Sequence, residues 1–290
     1  MFLEYIVNNE KSIRDVLIGH YHFSNRYCLH LKVNNNIYLN DDNQLIYFDK
    51  VVNNGDKVSI KLDDEENNCN ILPKFMPLDI LYEDDYIIAL NKPPHMPVHP
   101  SLEHFNDSLS NGLKFYFDSI NLKRKIRPIN RLDKDTSGIV LFAKFPFIQY
   151  SLQNYNKEYI TIVNGRIEND GVIDKPIARK NNSIIERCVS DEGKNAITEY
   201  KVLKNFSISN KEYTMLRCIL HTGRTHQIRV HFRYIGHSIL GDTLYGEKSN
   251  LIDRQALHAS KITFLHPVTK KEIMISCTLP DDMKKIIESV

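Results

Sequence analysis

The sequence predicts an α+β fold: a mixed, mostly antiparallel sheet with helices packed around it, preceded by a small α+β module. Three observations carry this reading. Strand-like segments dominate residues 86–279. The strand–helix–strand rhythm of a doubly wound sheet is absent. An acidic, polar stretch, "DDEENNCN" (63–70), runs into the two-proline segment "LPKFMPL" (72–78), which reads as a linker and divides the chain into 1–75 and 76–290.

Within residues 1–75, "SIRDVLIGHY" has helical spacing, and "NNIYLNDD" and "GDKVSIKL" are short strands between turn residues. Beyond the linker, strands are expected at 86–92, 138–144, 158–167, 196–203, 212–220, 257–265 and 271–279. Each is rich in β-branched and aromatic residues. Helices are expected at 106–120, 146–157, 224–235 and 281–290, where apolar residues recur three and four apart.

Composition narrows the class. The 290 residues are 42% hydrophobic and 26% charged, ordinary for a globular protein. No apolar run approaches the ~18 residues of a membrane span, and the N-terminus lacks the pattern of a signal peptide, so a cytoplasmic protein is expected. The five cysteines form no Cys-x-x-Cys pair, which disfavours a zinc or redox site and fits reduced thiols. Net charge is +2, split as −3 over residues 1–75 and +5 over 76–290, so a polyanionic partner would find its attraction in the second part.

Four stretches could carry chemistry. "NRLDKDTSG" (130–138) places Asp133 and Arg131 ahead of an apolar strand. By itself the pattern is most simply a turn, with Asp and Ser/Thr bonded to nearby backbone. The alternative is a carboxylate kept ionised by a nearby cation and free to attack. "HTGRTHQIRVHFRYIGH" (221–237) reads as an amphipathic helix capped by Thr222 or Thr225 and ended by Gly236. Arg229 and Arg233 share a face at four-residue spacing, either as a solvated basic face or as guanidinium groups for phosphates or a carboxylate. His221, His226 and His231 are five apart, a spacing that does not gather metal ligands, so no metal is expected. "KEYITIVNG" (157–165) puts Tyr159 at a helix-to-strand junction, ordinarily a half-buried sheet tyrosine. "LNKPPHMPVHPS" (90–101) ends a strand in a rigid turn with Lys92 at its tip, a plausible substrate edge.

Taken in order, these stretches resemble the RluA/RluD-type pseudouridine synthases. "NRLDKDTSG" is similar to that family's His-Arg-Leu-Asp-x-x-Thr-Ser-Gly signature, "LNKPPHM" to its Asn-Lys-Pro segment and "KEYI" to its Lys-x-Tyr segment. "GKNAITEYKV", "TGRTHQIRVHF", "GHSILGDTLYG" and "LHASKITFLHP" match further blocks, so the resemblance covers about residues 78–280. It implies a pseudouridine synthase fold with a central catalytic cleft, and an isomerase acting on uridines in structured RNA. Large-subunit ribosomal RNA is the expected partner. Transfer RNA, or a catalytically silent RNA-binding role in ribosome assembly, are the alternatives. A glycoside hydrolase is disfavoured, because no second carboxylic acid partner is evident.

Residue by residue, the resemblance makes Asp133 the catalytic aspartate, Tyr159 the active-site tyrosine and Arg229 the basic residue paired with the aspartate. It makes Arg131 the side chain that fills the stack vacated by the flipped base. Lys92, Arg224, Arg233 and His226 are expected as further RNA contacts. No cofactor, metal or membrane is implied. Two departures stand out: Asn130 replaces the family's histidine, and His95 stands where glycine is common. The 1–75 module weakly resembles a ribosomal-protein-S-four-like RNA-binding domain, and its net −3 points to a degenerate version used for docking or stability.

Overall fold

The most strongly alternating segments of the sequence pair with one another. In the computed structural model, which describes residues 1–42, 47–62, 65–66, 70–152 and 154–289, the first 62 residues hold β1 (Phe2–Ile6), β2 (Lys11–Ser12), a π-helical segment (Asp15–His20), α1 (Asn25–Val33), β3 (Ile37–Leu39), β4 (Val51–Val52) and β5 (Lys57–Lys61). Then follow β6 (Ile80–Glu83), β7 (Ile87–Lys92), α2 (Leu109–Ser119), β8 (Arg127–Pro128), β9 (Ser137–Ala143), α3 (Pro146–Ser151), β10 (Tyr155–Asn164), β11 (Gly171–Asp174), β12 (Ile177–Arg179), β13 (Arg187–Val189), β14 (Ile197–Ile208), β15 (Lys211–Leu220), α4 (Gln227–Tyr234), β16 (Leu257–Leu265), β17 (Glu272–Ser276) and α5 (Asp281–Glu288). Of the expected linker, 63–64 and 67–69 lie outside the described residues.

A ten-stranded sheet runs β11-β14-β15-β10-β16-β9-β7-β6, with β17 beside β16 and β8 beside β9. Its pairs are antiparallel except β16 with β9, which is parallel. The sheet is therefore mixed and mostly antiparallel, as the alternation predicts. Every residue of β9 is buried. Ile139, Leu141 and Ala143 face one apolar core while Val140 and Phe142 face another, the two-fold alternation of a strand covered on both sides.

The helix expected at 146–157 stops at Ser151, because Tyr155 onward pairs with β16 from Phe264 back to Leu257. Tyr159 consequently lies well inside a strand rather than at a junction. The helix α1 was not anticipated. Ser24 caps it by accepting the Tyr27 N–H at 3.2 Å, and Tyr27, Cys28 and Leu31 turn inward. The first 62 residues share one core with β7, β9 and α3. Phe23 packs on Phe147 with ring centroids 4.8 Å apart, and Ser151 Oγ donates to Tyr21 O at 2.8 Å.

One transverse row positions the site. Lys92 of β7 pairs with Gly138 of β9, Gly138 with Ala259 of β16, Ala259 with Tyr159 of β10, and Tyr159 with Cys218 of β15. The turn that carries Asp133 feeds β9 beside this row. Gly138 has φ +113°, and a Cβ there would stand 2.2 Å from Ala259 O. Gly138→Ala is therefore expected to part β9 from β16, destabilising the protein by several kcal/mol, since both backbone strain and a backbone clash add. A thermal melt indistinguishable from wild type would contradict this.

Candidate active site

The Asp133 loop is held from two sides. From one side, Lys92 is fully buried, and its ammonium donates to Pro93 O, Met96 O and Lys134 O, each at 2.8 Å. From the other, Arg254 donates through Nη1 to Asp135 O at 3.1 Å and grips Asp282 of α5 through Nε and Nη2 at 2.6 and 3.0 Å. Gln255 Nε2 donates to Thr136 Oγ1 at 3.2 Å. Within the loop, the Thr136 N–H bonds the backbone carbonyl of Asp133 at 3.1 Å. The segment is a turn, and it leaves the Asp133 side chain available. Backbone closes the turn, and the carboxylate stays free to face the cleft, 28% exposed.

Arg229 reaches that carboxylate from α4. Its Nη1 donates to Asp133 Oδ2 at 3.0 Å, while Nε and Nη2 donate to Asp242 at 2.7 and 2.8 Å. Asp242 is fully buried and also accepts the Leu244 and Tyr245 N–H groups at 3.0 and 3.1 Å. Burial opposes the guanidinium's charge, but the Asp242 and Asp133 carboxylates outweigh it and hold Arg229 above the ordinary arginine value. The bidentate fork on Asp242 fixes the plane of the guanidinium, so one N–H is left aimed at Asp133.

Tyr159 is 5% exposed, and its hydroxyl makes no hydrogen bond to the described residues. Burial raises it well above the ordinary phenol value, with Tyr155 and Asp133 adding to the effect. It is a neutral phenol at pH 7. The site therefore presents an ionisable carboxylate steadied by one guanidinium N–H beside a buried aromatic ring, a constellation suited to covalent or general-base attack on a flat, polar group.

Residues 86–234 match the family model for RNA pseudouridylate synthase. The chain is 39% identical over 245 residues to the uncharacterized RNA pseudouridine synthase YjbO of Bacillus subtilis, covering 82% of this chain and 85% of that one. It is 40% identical over 228 residues to the ribosomal large subunit pseudouridine synthase D of Vibrio cholerae, covering 72% and 69%. The chain belongs to the RNA pseudouridylate synthase family. Its fold also matches the human RNA pseudouridylate synthase domain containing 1, with a TM-score of 0.57 at 22% identity over 73% of this chain and 94% of that one.

In this pseudouridine synthase the predicted residues part company. Asp133, Tyr159, Arg229 and His226 gather at the head of β9. Arg131 is exposed beside them and carries no hydrogen bond or ion pair to the described residues. Arg224 is exposed ahead of α4, with Nε donating to Asn195 O at 2.9 Å, and Arg233 is exposed one turn beyond Arg229. Lys92 corrects the expectation of an RNA contact. Its ammonium is buried on three carbonyls, and burial brings it down to about 7 against the opposing charge of Asp135, so it braces the loop instead. Neither Thr222 nor Thr225 caps α4. The residue at that cap is His226, and Gln227 Oε1 instead accepts the Arg224 N–H at 3.0 Å. Of the other two histidines, His221 pairs with Glu199 and His231 is buried against Thr198 and Lys175 O. Among the described residues no cluster of His, Cys, Asp or Glu could hold a metal, and no helix is long and apolar enough to cross a membrane.

Both departures from the family pattern have a physical account. Asn130 is buried and bridges to β9: its amide donates to Ile139 O at 2.9 Å and accepts the Leu141 N–H at 2.7 Å. One donor and one acceptor suffice for this brace. Asn130→Leu is expected to cost roughly 1–3 kcal/mol by leaving both backbone groups unmet, read as a lowered Tm with residual turnover. An unchanged Tm would contradict it. His95 takes φ +60°, which explains glycine's place in the pattern, and its ring lies 3.1 Å from Asp135 Oδ1. The sequence reading missed Asp242 and the Arg254–Asp282 clamp. The "GHSILGDTLYG" block contained the first, but nothing in it marked the aspartate as Arg229's main partner.

Proposed function

We propose that this pseudouridine synthase isomerises uridines in large-subunit ribosomal RNA, with Asp133 as the reacting carboxylate. The observation that carries the reading is the Asp133–Arg229–Asp242 arrangement, in which a buried guanidinium is fixed on one carboxylate and steadies another that faces the cleft. The reaction breaks the N1–C1′ bond and makes a C5–C1′ bond, while C5 loses a proton and N1 gains one. Atoms and electrons balance without a co-reactant. A uridine in a helix must be flipped out first, at a cost of a few kcal/mol, and the exposed guanidinium of Arg131 is suited to fill the vacated stack. Tyr159 would lie against the base. As a neutral phenol it donates a hydrogen bond, and it takes a proton only after giving up its own. Residues 1–75 serve as a docking or stabilising module, whose buried residues between Leu3 and Leu62 share a core with the catalytic sheet. The same reading places the protein in the cytoplasm with its ribosomal substrate, in keeping with the reduced Cys28, Cys188, Cys218 and Cys277.

The test compares pseudouridine maps of total RNA from cells with and without the gene, by carbodiimide labelling and primer extension. Loss of one or more large-subunit sites is expected. Maps identical in ribosomal RNA, with a site lost from transfer RNA, would move the substrate; maps identical throughout would overturn the reading.

A further inference from the structure

His226 is expected from the sequence as an RNA contact, but the structure gives it other neighbours. It sits in the left-handed region at φ +58°, ψ 21°, immediately before α4, and its side chain makes no helix cap. A non-glycine residue there is strained, and such strain concentrates at functional sites. The ring is drawn inward, 13% exposed, with Nε2 3.8 Å from Asp133 Oδ2. On the far side Nδ1 lies 2.8 Å from the Tyr245 hydroxyl. That hydroxyl oxygen accepts the Arg187 N–H at 2.8 Å.

These contacts select a tautomer. Among the described residues the Tyr245 O–H has no acceptor other than His226 Nδ1, so the imidazole's single proton sits on Nε2, facing Asp133. Tyr245 cannot drift from this post. Its own N–H is bonded to Asp242, the Arg229 guanidinium lies 5.0 Å from its ring centroid, and the His226 ring meets it edge-on at 5.6 Å.

We propose that His226 is a positioning residue for Asp133, presenting a neutral Nε2–H as a second donor to the carboxylate beside Arg229, with Tyr245 holding the imidazole in that tautomer. The 3.8 Å separation is long for a hydrogen bond, and sites of this kind tighten when substrate closes the cleft. The groups that face the ring are Asp133 from the loop before β9, Arg229 from α4, Arg187 from β13, and Asp242 and Tyr245 from the segment after α4. Burial, more than the nearby arginines, keeps the imidazole below its ordinary value and so uncharged at neutral pH, while Asp133 and Asp242 pull the other way. The proposal rests on Asp133 being the reacting carboxylate only for its consequence in turnover, not for its geometry.

The experiment titrates the full-length protein carrying carboxyl-¹³C aspartate by NMR, with Asp133→Asn to assign the signal, in wild type, His226→Ala, His226→Gln and Tyr245→Phe. A donor to the carboxylate favours its charged form, so removing it moves the midpoint to higher pH. His226→Ala is expected to move the Asp133 midpoint upward, Tyr245→Phe to move it upward by less, and His226→Gln, which restores an N–H at similar reach, to return it toward wild type. The acid limb of the pseudouridine rate profile should follow the same order. An Asp133 midpoint that is the same in all four proteins overturns the proposal. So does a His226→Ala protein that only binds RNA more weakly, or is only less stable, with the midpoint unmoved. Midpoints that shift in a protein forming no pseudouridine at any pH would keep the positioning role and remove the proposed reaction.

Discussion

Asp133→Asn yields a folded protein that retains RNA binding and forms pseudouridine at less than about a thousandth of the wild-type rate, the loss typical of removing an attacking group. The substitution keeps the shape and an oxygen for Arg229 Nη1, which stands 3.0 Å from Asp133 Oδ2. Arg229 stays paired through its two bonds to Asp242, so no charge is left alone in the core. Stability should therefore fall by only about 1 kcal/mol, the worth of an ordinary hydrogen bond. The measurement is single-turnover pseudouridine formation beside a thermal melt and an RNA-binding isotherm. Turnover within tenfold of wild type would remove Asp133 from the reacting position.

Asp242→Asn gives the opposite balance. Asp242 is fully buried and supplies the bidentate acceptor for Arg229. An asparagine turns one of those oxygens into an N–H₂ that meets a guanidinium donor head-on. The buried cation keeps its bond to Asp133 and one bond to the remaining amide oxygen, but loses the second bond and the buried countercharge of Asp242. Breaking a buried pair in this way costs ~3–5 kcal/mol. For a chain of this size that lowers Tm by on the order of 10 °C. The guanidinium is also freed to swing, so pseudouridine formation falls at temperatures where the protein is still folded. Asp133→Asn thus removes chemistry with little loss of stability, and Asp242→Asn removes stability first. A melt within 2 °C of wild type for Asp242→Asn, by this estimate well inside the effect expected, would show that the pair is not the site's anchor.

The catalytic strands were legible because β-branched alternation is a local signal. β7, β9, β15 and β16 lie where their sequences place them. Boundaries governed by pairing were less legible. The segment before Tyr159 has helical spacing, yet the open hydrogen-bonding edge of β16 takes it from Tyr155 onward. The roles of charged residues were least legible. Lys92 and Arg131 are both cations in segments beside the active loop, and only their surroundings separate a buried brace from an exposed guanidinium.

The sequence by itself determined the family and the α+β class and singled out Asp133, Tyr159 and Arg229 as candidates, because ordered motifs and short-range periodicity are written along the chain. Tertiary structure alone decided that Asp242 holds Arg229, that Arg254 clamps the Asp133 loop to α5, that Lys92 is spent on three carbonyls and that Asn130 braces β9. Those partners lie 13, 119, 42 and 9 residues apart for Asp242, Arg254, Lys92 and Asn130. A charge or an amide acquires its role from the groups that replace water around it, and folding chooses those groups from distant parts of the chain.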